Sequence, residues 1–283
     1  MNRIRAFRFL VAAGVALVAS GARADGWTPA LTLAATWHDN ASNASASADR
    51  IGALHTGAEL LLSERYEVAR NDSLLVSARF AGDWWERYSG LTRGAAGVRV
   101  EWQHKFGLGA LVPMASVELA ADAVAATESG RRGIGTGITF ALRKRFNDLW
   151  RATLTQEFAR HDARQAVFDR AGAETALEVG REITEFTRFA LRLNYRRGDV
   201  LSYATPPRPD LVALAPNRAN VETFGRPMVA YSIGARSVGA RAAYVRTLNE
   251  QSAVILAYEW RETKRSPLHY VNHLVSVALA HRF

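Results

Sequence analysis

The chain has 283 residues, 48% hydrophobic and 22% charged, with a formal net charge of +9 and no cysteine. The length suits one large domain, and the lack of cysteine excludes disulfides and thiolate metal sites. Arg3, Arg5, Arg8 and Arg23 all lie in the first 24 residues, so without them the charge falls to +5. No nucleic-acid-binding pattern accompanies the remainder.

The chain begins with those arginines, an apolar run over residues 9–19, and Ala22-Arg23-Ala24. A basic n-region, a short h-region and an A-x-A site are the layout of a secretory signal peptide. Cleavage is expected after residue 24, leaving a single domain over residues 25–283. The run is too short for a membrane helix, which needs roughly 20 residues.

Beyond residue 25 the chain shows period-2 alternation, the mark of a strand with two different faces. Leu31, Leu33, Ala35 and Trp37 share one parity. Next, Leu54, Leu60, Leu62 and Tyr66 oppose Glu59, Arg65 and Glu67. After a turn at Asn71, Leu74, Val76, Phe80 and Trp84 oppose Ser77, Arg79, Asp83 and Arg87. Val98, Val100, Trp102 and Phe106 then oppose Arg93, Arg99, Glu101, Gln103 and Lys105. A turn near Gly107 leads to Val117 and Leu119 against Glu118 and Asp122. Ile134, Ile138, Phe140 and Leu142 oppose glycines, Arg143 and Arg145. Across a turn at Asn147, Leu154 and Phe158 oppose Arg151, Thr153, Thr155 and Glu157.

The clearest hairpin joins residues 173–183 to residues 187–197. With a turn at residues 184–186, facing residues have numbers that sum to 370. Glu182 then faces Arg188, Glu178 faces Arg192, and Glu174 faces Arg196. One face is an acid–base ladder and the other is apolar. Residues 198–226 contain four prolines and lose the alternation, which predicts a long loop. It either folds inward as a plug or presents an outer surface. In residues 228–248 the apolar parity changes, from Val229, Tyr231 and Ile233 to Val238, Ala240, Ala242 and Tyr244. That predicts a bulge at Gly234 or Gly239. Two more alternating segments, 252–261 and 270–283, complete about twelve strands.

Tight turns near Asn71, Gly107, Asn147, Glu185 and Asn249 alternate with mostly longer connections, the asymmetry of a membrane barrel with short inner turns and long outer loops. Tyr66, Phe106, Phe146, Trp150, Phe186 and Phe283 fall beside the tight turns. Trp37, Trp84, Tyr195, Tyr258 and Trp260 fall near the longer loops. Two aromatic groups at opposite strand ends are the pattern of interfacial girdles. The expected fold is all-β, a closed antiparallel transmembrane β-barrel embedded in outer-membrane lipid.

The last stretch places Val275, Val277, Leu279 and the terminal Phe283 on one parity. This resembles the C-terminal signal of Gram-negative outer-membrane β-barrels, which implies recognition by the outer-membrane assembly machinery. His273 and His281 interrupt the pattern, and the upstream glycine often found there is absent.

The resemblance makes the acid–base ladder part of the lumen wall. It either guides charged solutes or serves as internal neutralisation, since pairing consumes the arginine donors. Further basic residues on the inner parity are Arg79, Arg87, Arg93, Arg99, Lys105, Arg143, Arg145 and Arg151. A turn at Asn147 sets Arg143 opposite Arg151, which calls for an intervening acid such as Glu101 or Glu118. The pattern is similar in kind to the arginine-lined lumens of twelve-stranded porins for acidic oligosaccharides. The expected function is a narrow porin-like channel for small anionic solutes, with no cofactor, metal or nucleic-acid partner. The alternatives are a closed barrel with a structural, adhesive or assembly role, and an outer-membrane hydrolase. For the hydrolase, His273 and Ser276 have opposite parity, and His38, Asp39, Asp83, His161 and Asp162 carry no recognisable signature. The loop over residues 39–49 lacks the ligand order of a calcium loop and reads as a flexible polar loop.

Overall fold

The alternating segments form strands throughout the computed structural model, which describes residues 26–283. The expected signal peptide lies outside the described residues. The strands are β1 (Thr28–His38), β2 (Ala53–Ala69), β3 (Asp72–Trp85), β4 (Arg93–Lys105), β5 (Met114–Ala126), β6 (Gly133–Arg145), β7 (Trp150–Ala163), β8 (Arg170–Thr184), β9 (Thr187–Ala204), β10 (Asn217–Val221), β11 (Met228–Thr247), β12 (Ser252–Arg265) and β13 (Leu268–Arg282). One short helix, α1 (Pro209–Val212), lies between β9 and β10. Every strand except β10 pairs with two neighbours around a ring that closes through β13–β1 and β9–β11. Closure gives each backbone donor and acceptor a partner, as the hydrocarbon interior demands.

The register assigns the faces. Glu59, Arg79, Arg99 and Asp122 share the inner face, whereas Phe80, Val98, Leu119 and Ile138 point outward. Leu33, Phe80, Val98, Leu119, Leu154, Leu177, Leu193 and Leu256 are all exposed on the outer wall. Such an apolar belt belongs in lipid. Tyr66, Phe106, Phe146, Trp150, Phe186 and Phe283 are exposed at the tight-turn end, and Trp37, Tyr195 and Tyr258 are exposed towards the other. These are the two girdles. Val98, at the middle of β4 and 58% exposed, sits at the depth where a charge costs most. Val98→Arg is expected to destabilise the barrel by ~2–4 kcal/mol, read from denaturant unfolding in lipid vesicles.

The 173–197 hairpin adopts the 370-sum register, with Glu182 opposite Arg188, Glu178 opposite Arg192 and Glu174 opposite Arg196. It slips by one only at the tip, where Thr184 pairs with Thr187.

The outer end departs from the expected plan. β9 and β11 remain paired well past their barrel neighbours, from Gly198↔Ala235 up to Ala204↔Val229. On its other side, β11 pairs with β12 only from Arg236 onward, and β10 takes the vacated edge. The resulting ribbon crosses the barrel mouth. One face places Leu201, Tyr203, Met228 and Ala230 against Val167, Phe168, Val221 and Phe224, with Ile51, Tyr88 and Leu91 packed alongside. The opposite face places Val229, Tyr231 and Ile233 against Leu211, Leu268 and Tyr270.

Two expectations are corrected here. Residues 198–226 are not simply a long loop, because they hold the end of β9, α1 and β10. Nor does a bulge explain the parity change in β11, whose register with β9 is continuous through Gly234 and Gly239. Its upper third leaves the lipid, and both of its faces are covered. A strand buried on two sides reads as an apolar run rather than an alternation.

Candidate functional site

The candidate site is the lumen, whose wall carries a network of ion pairs. Arg79 on β3 bonds Glu59 on β2 at 2.7 Å and reaches Asp122 on β5 at 3.4 Å. Gly97 on β4 lies between them, and a Cβ there would meet Asp122 Oδ1 at 2.3 Å and the Ala121 carbonyl at 2.2 Å. The glycine leaves space that a side chain would fill. Gly97→Ala is therefore expected to lower barrel stability by about 1–3 kcal/mol through steric strain, checked by denaturant midpoint.

Further pairs follow around the ring. Arg93 donates to Asp83 at 2.8 Å and Arg143 to Glu101 at 3.1 Å. Arg151 pairs with Glu182 at 2.8 Å, Arg192 with Glu174 at 2.8 Å, and Arg261 with Glu259. Such pairs are partly hydrated, so each contributes only ~0–1 kcal/mol.

The ladder residues line the inner wall in the expected register, but their side chains choose other partners. Arg192 bonds Glu174, four residues along β8, rather than the facing Glu178, and Glu182 turns to Arg151 on β7. Glu182 is the diagonal neighbour of Arg151, about 7–8 Å away and within reach of a long side chain. Glu174 lies four residues beyond the residue facing Arg192, and the two side chains meet by extending along the strands. Among the described residues, no carboxylate lies within ion-pair distance of Arg188 or Arg196, and Arg188 Nε is buried without a partner.

Of the other candidates, Arg79, Arg93, Arg99, Arg143 and Arg151 lie on the inner wall. Lys105 and Arg145 end their strands at the inner rim, where Arg145 meets Asp148. Arg87 does not line the lumen. β3 ends at Trp85, and Arg87 is exposed in the connection that follows. The turn beyond Arg145 is also set differently from expectation, so Arg145 faces Arg151 and Arg143 faces Thr153.

Arg99, Arg188, Arg196, Arg170 and Arg241 face the lumen without an ion pair among the described residues. The last two escaped the sequence reading, because an isolated arginine on a strand gives no sign of lacking a partner. Among the described residues, acids on the inner wall without an ion pair include Glu118, Glu157 and Glu178.

The ribbon closes over an outer chamber of about 440 Å³, lined by His38, His55, Asp83, Arg93, Arg170 and Tyr203 among others. His38 Nε2 and His55 Nδ1 are 3.1 Å apart, with Trp85 against both rings. Arg131 pairs with Glu128 at 2.9 Å, bonds the Tyr203 hydroxyl and lies over Phe168. That contact ties the ribbon to two loops. At the inner end a larger vestibule of about 870 Å³ is bordered by Arg143, Arg145, Arg151, Glu178, Glu182 and Arg188.

The 39–49 loop is not a free polar loop. Asn40, Ser42, Ala44 and Asp49 are buried. Ser42 Oγ donates to the Asp49 carbonyl at 2.7 Å, Asn43 Nδ2 to the Leu201 carbonyl at 2.9 Å, and Thr205 Oγ1 to Asp49 at 2.7 Å. Its oxygens are engaged in holding the ribbon. Above it, a bond from the Arg208 guanidinium holds the Asp210 carboxyl below the usual carboxylate range.

Of the hydrolase candidates, His38, Asp83 and His161 line the same outer chamber, whereas His273 and Ser276 point to different faces of β13. His273 bonds the Tyr258 hydroxyl at 2.8 Å on the outer wall, while Ser276 faces Thr36 and Ala257 on the inner one. Asp83 is engaged by Arg93, and Asp162 by Arg160. Asp39 accepts from the His273 backbone N–H at 2.7 Å. Val275, Val277, Leu279 and Phe283 are exposed to the lipid side or inner rim.

No protein-family model matches the chain, and no curated protein matches it. Solved structures do resemble it. An outer-membrane channel from Pseudomonas putida F1 superposes with a TM-score of 0.60 at 10% identity, covering 91% of this chain and 96% of that one. The NanC porin gives a TM-score of 0.50 at 8% identity, covering 89% and 98%. At these identities the likeness is one of fold. The chain has the fold of Gram-negative outer-membrane β-barrels.

Proposed function

We propose that this barrel is a narrow, porin-like channel of the outer membrane for small anionic solutes. The carrying observation is the set of unpaired arginines on the inner wall: Arg99 near mid-strand, Arg188 near the inner end, and Arg196 and Arg170 towards the chamber. The unpaired arginines outnumber the unpaired acids Glu118, Glu157 and Glu178, and a low-dielectric wall with a surplus of positive charge concentrates anions. The ladder itself supplies a lined passage rather than a binding track, because Arg192 and Arg151 are held by Glu174 and Glu182. The folds of the Pseudomonas putida F1 channel and of the NanC porin support a conducting reading. Planar-bilayer recordings of the purified protein test it. The expected result is small unitary currents with an anionic reversal potential, and silence both with the ribbon intact and with it removed would defeat it.

A second reading rests on the ribbon, which fills the mouth with two packed apolar faces. On this reading the barrel is closed and acts through its outer loops. Tracer uptake into vesicles separates the two.

We further propose that residues 1–24 are a signal peptide removed on export. On this account the assembly machinery reads Val275, Val277, Leu279 and Phe283 on β13. Phe283→Ala is expected to cut the folded fraction in the outer membrane several-fold while leaving export intact, scored by heat-modifiable migration.

A further inference from the structure

Where β11 parts from β12, the outer wall carries a groove of about 770 Å³. Across it runs a row of basic side chains set by the register. Arg197 on β9 faces Arg236 on β11, Arg236 faces Lys264 on β12, and Lys264 faces His269 on β13. These residues have the parity of the lipid-facing Tyr195, Val238 and Tyr258, and all four are exposed. Like charges directly opposed on one sheet face destabilise each other unless an anion lies among them.

The acids nearby do not supply that anion for the arginines. Glu262 is taken by Lys264 at 2.6 Å and His269 at 2.8 Å. Asp199 turns aside to accept the Ala171 backbone N–H at 2.9 Å. Arg265, at the rim, donates to the Gly234 carbonyl at 2.9 Å. Among the described residues, Arg197 and Arg236 have no acidic partner. On a different wall, by contrast, Arg160 is matched by Asp162 at 2.7 Å.

The level of the row identifies its environment. One pleat inward lie Tyr195 and Glu262, both opposite Val238, and one pleat further in lie Leu193 and Trp260, both opposite Ala240. The cations thus sit immediately outside the aromatic girdle at the long-loop end, the depth of the outer headgroups.

We propose that this groove binds the phosphate groups of a phosphorylated glycolipid of the outer leaflet. The lipid's acyl chains would lie along Leu193, Tyr195 and Val238. Arginine suits phosphate because its planar fork donates in pairs, and basic groups at a membrane surface recognise anionic headgroups. The site is separate from the lumen and does not depend on conduction.

The test is native mass spectrometry of the purified barrel in detergent, titrated with bisphosphorylated lipid A, with the same lipid dephosphorylated, and with inorganic phosphate alone. The intact protein is expected to retain the phosphorylated lipid about tenfold more tightly than the dephosphorylated one. Arg197→Ala/Arg236→Ala/Lys264→Ala is expected to lose about tenfold or more of that affinity. The single variant Arg236→Ala, at an exposed position without partners, guards against misfolding and should lose about threefold. Heat-modifiable migration reports that each variant is folded. Smaller losses in folded variants, or equal retention of the dephosphorylated lipid, overturn the proposal. Displacement of the lipid by millimolar inorganic phosphate would make this a free-phosphate site and overturn the lipid assignment.

Discussion

Replacing residues 199–234 with an Asn-Gly turn is expected to raise single-channel conductance several-fold over the intact protein. Gly198 and Ala235 are cross-strand partners, so a two-residue turn joins β9 to β11 without disturbing the register below it. The excision removes α1, β10 and the upper parts of β9 and β11. With them go the contacts of Leu201, Tyr203 and Met228 to Phe168 and Leu91, which span the mouth. A milder perturbation should act in the same direction. Phe168 is 1% exposed and meets both the ribbon and the Arg131 guanidinium. Phe168→Ala is expected to weaken ribbon docking by about 3–5 kcal/mol, seen as more frequent opening and faster hydrogen exchange in residues 199–204. Unchanged conductance after excision would mean that the resistance lies lower in the barrel.

Neutralising the unpaired arginines is expected to have the second large effect. In Arg99→Gln/Arg188→Gln/Arg196→Gln the remaining unpaired groups include Glu118, Glu157 and Glu178, so preference should move from anions towards cations by several-fold. Reversal potentials in a salt gradient measure it, and the change should shrink at high salt as screening shortens its range. Neutralising Arg79 instead should do less to selectivity and more to stability. Its charge is already met by Glu59 and Asp122, so its removal leaves two acids without the cation they share. A selectivity equally insensitive to both changes would place the filter elsewhere.

The strands of the wall were legible because each has one face in lipid and one in the lumen. That difference imposes a period of two on the sequence. The 173–197 register was legible for a related reason: three acids and three bases at matching intervals around a short turn admit one pairing. The ion pairs were not. Arg79 reaches Asp122 across an intervening strand, and Arg151 takes Glu182 from a strand that is not its hairpin partner. Side-chain length and the order of strands around the ring decide such contacts, and neither can be read along one segment. Arg87 shows the same limit, since its parity matched the inner wall but the strand ended two residues earlier.

The upper third of β11 marks the boundary between the two kinds of information. By itself the amino-acid sequence determined a closed antiparallel membrane barrel, its inward and outward faces, its aromatic girdles and the facing of the Glu174–Arg196 hairpin. All of these follow from local alternation and short turns. Only the tertiary structure decided that residues 228–233 leave the lipid and cross the mouth between two apolar clusters. There, burial on both faces removes the alternation, and the covering residues come from distant loops. It likewise decided which arginines find acids, because that depends on the order of strands around the closed ring.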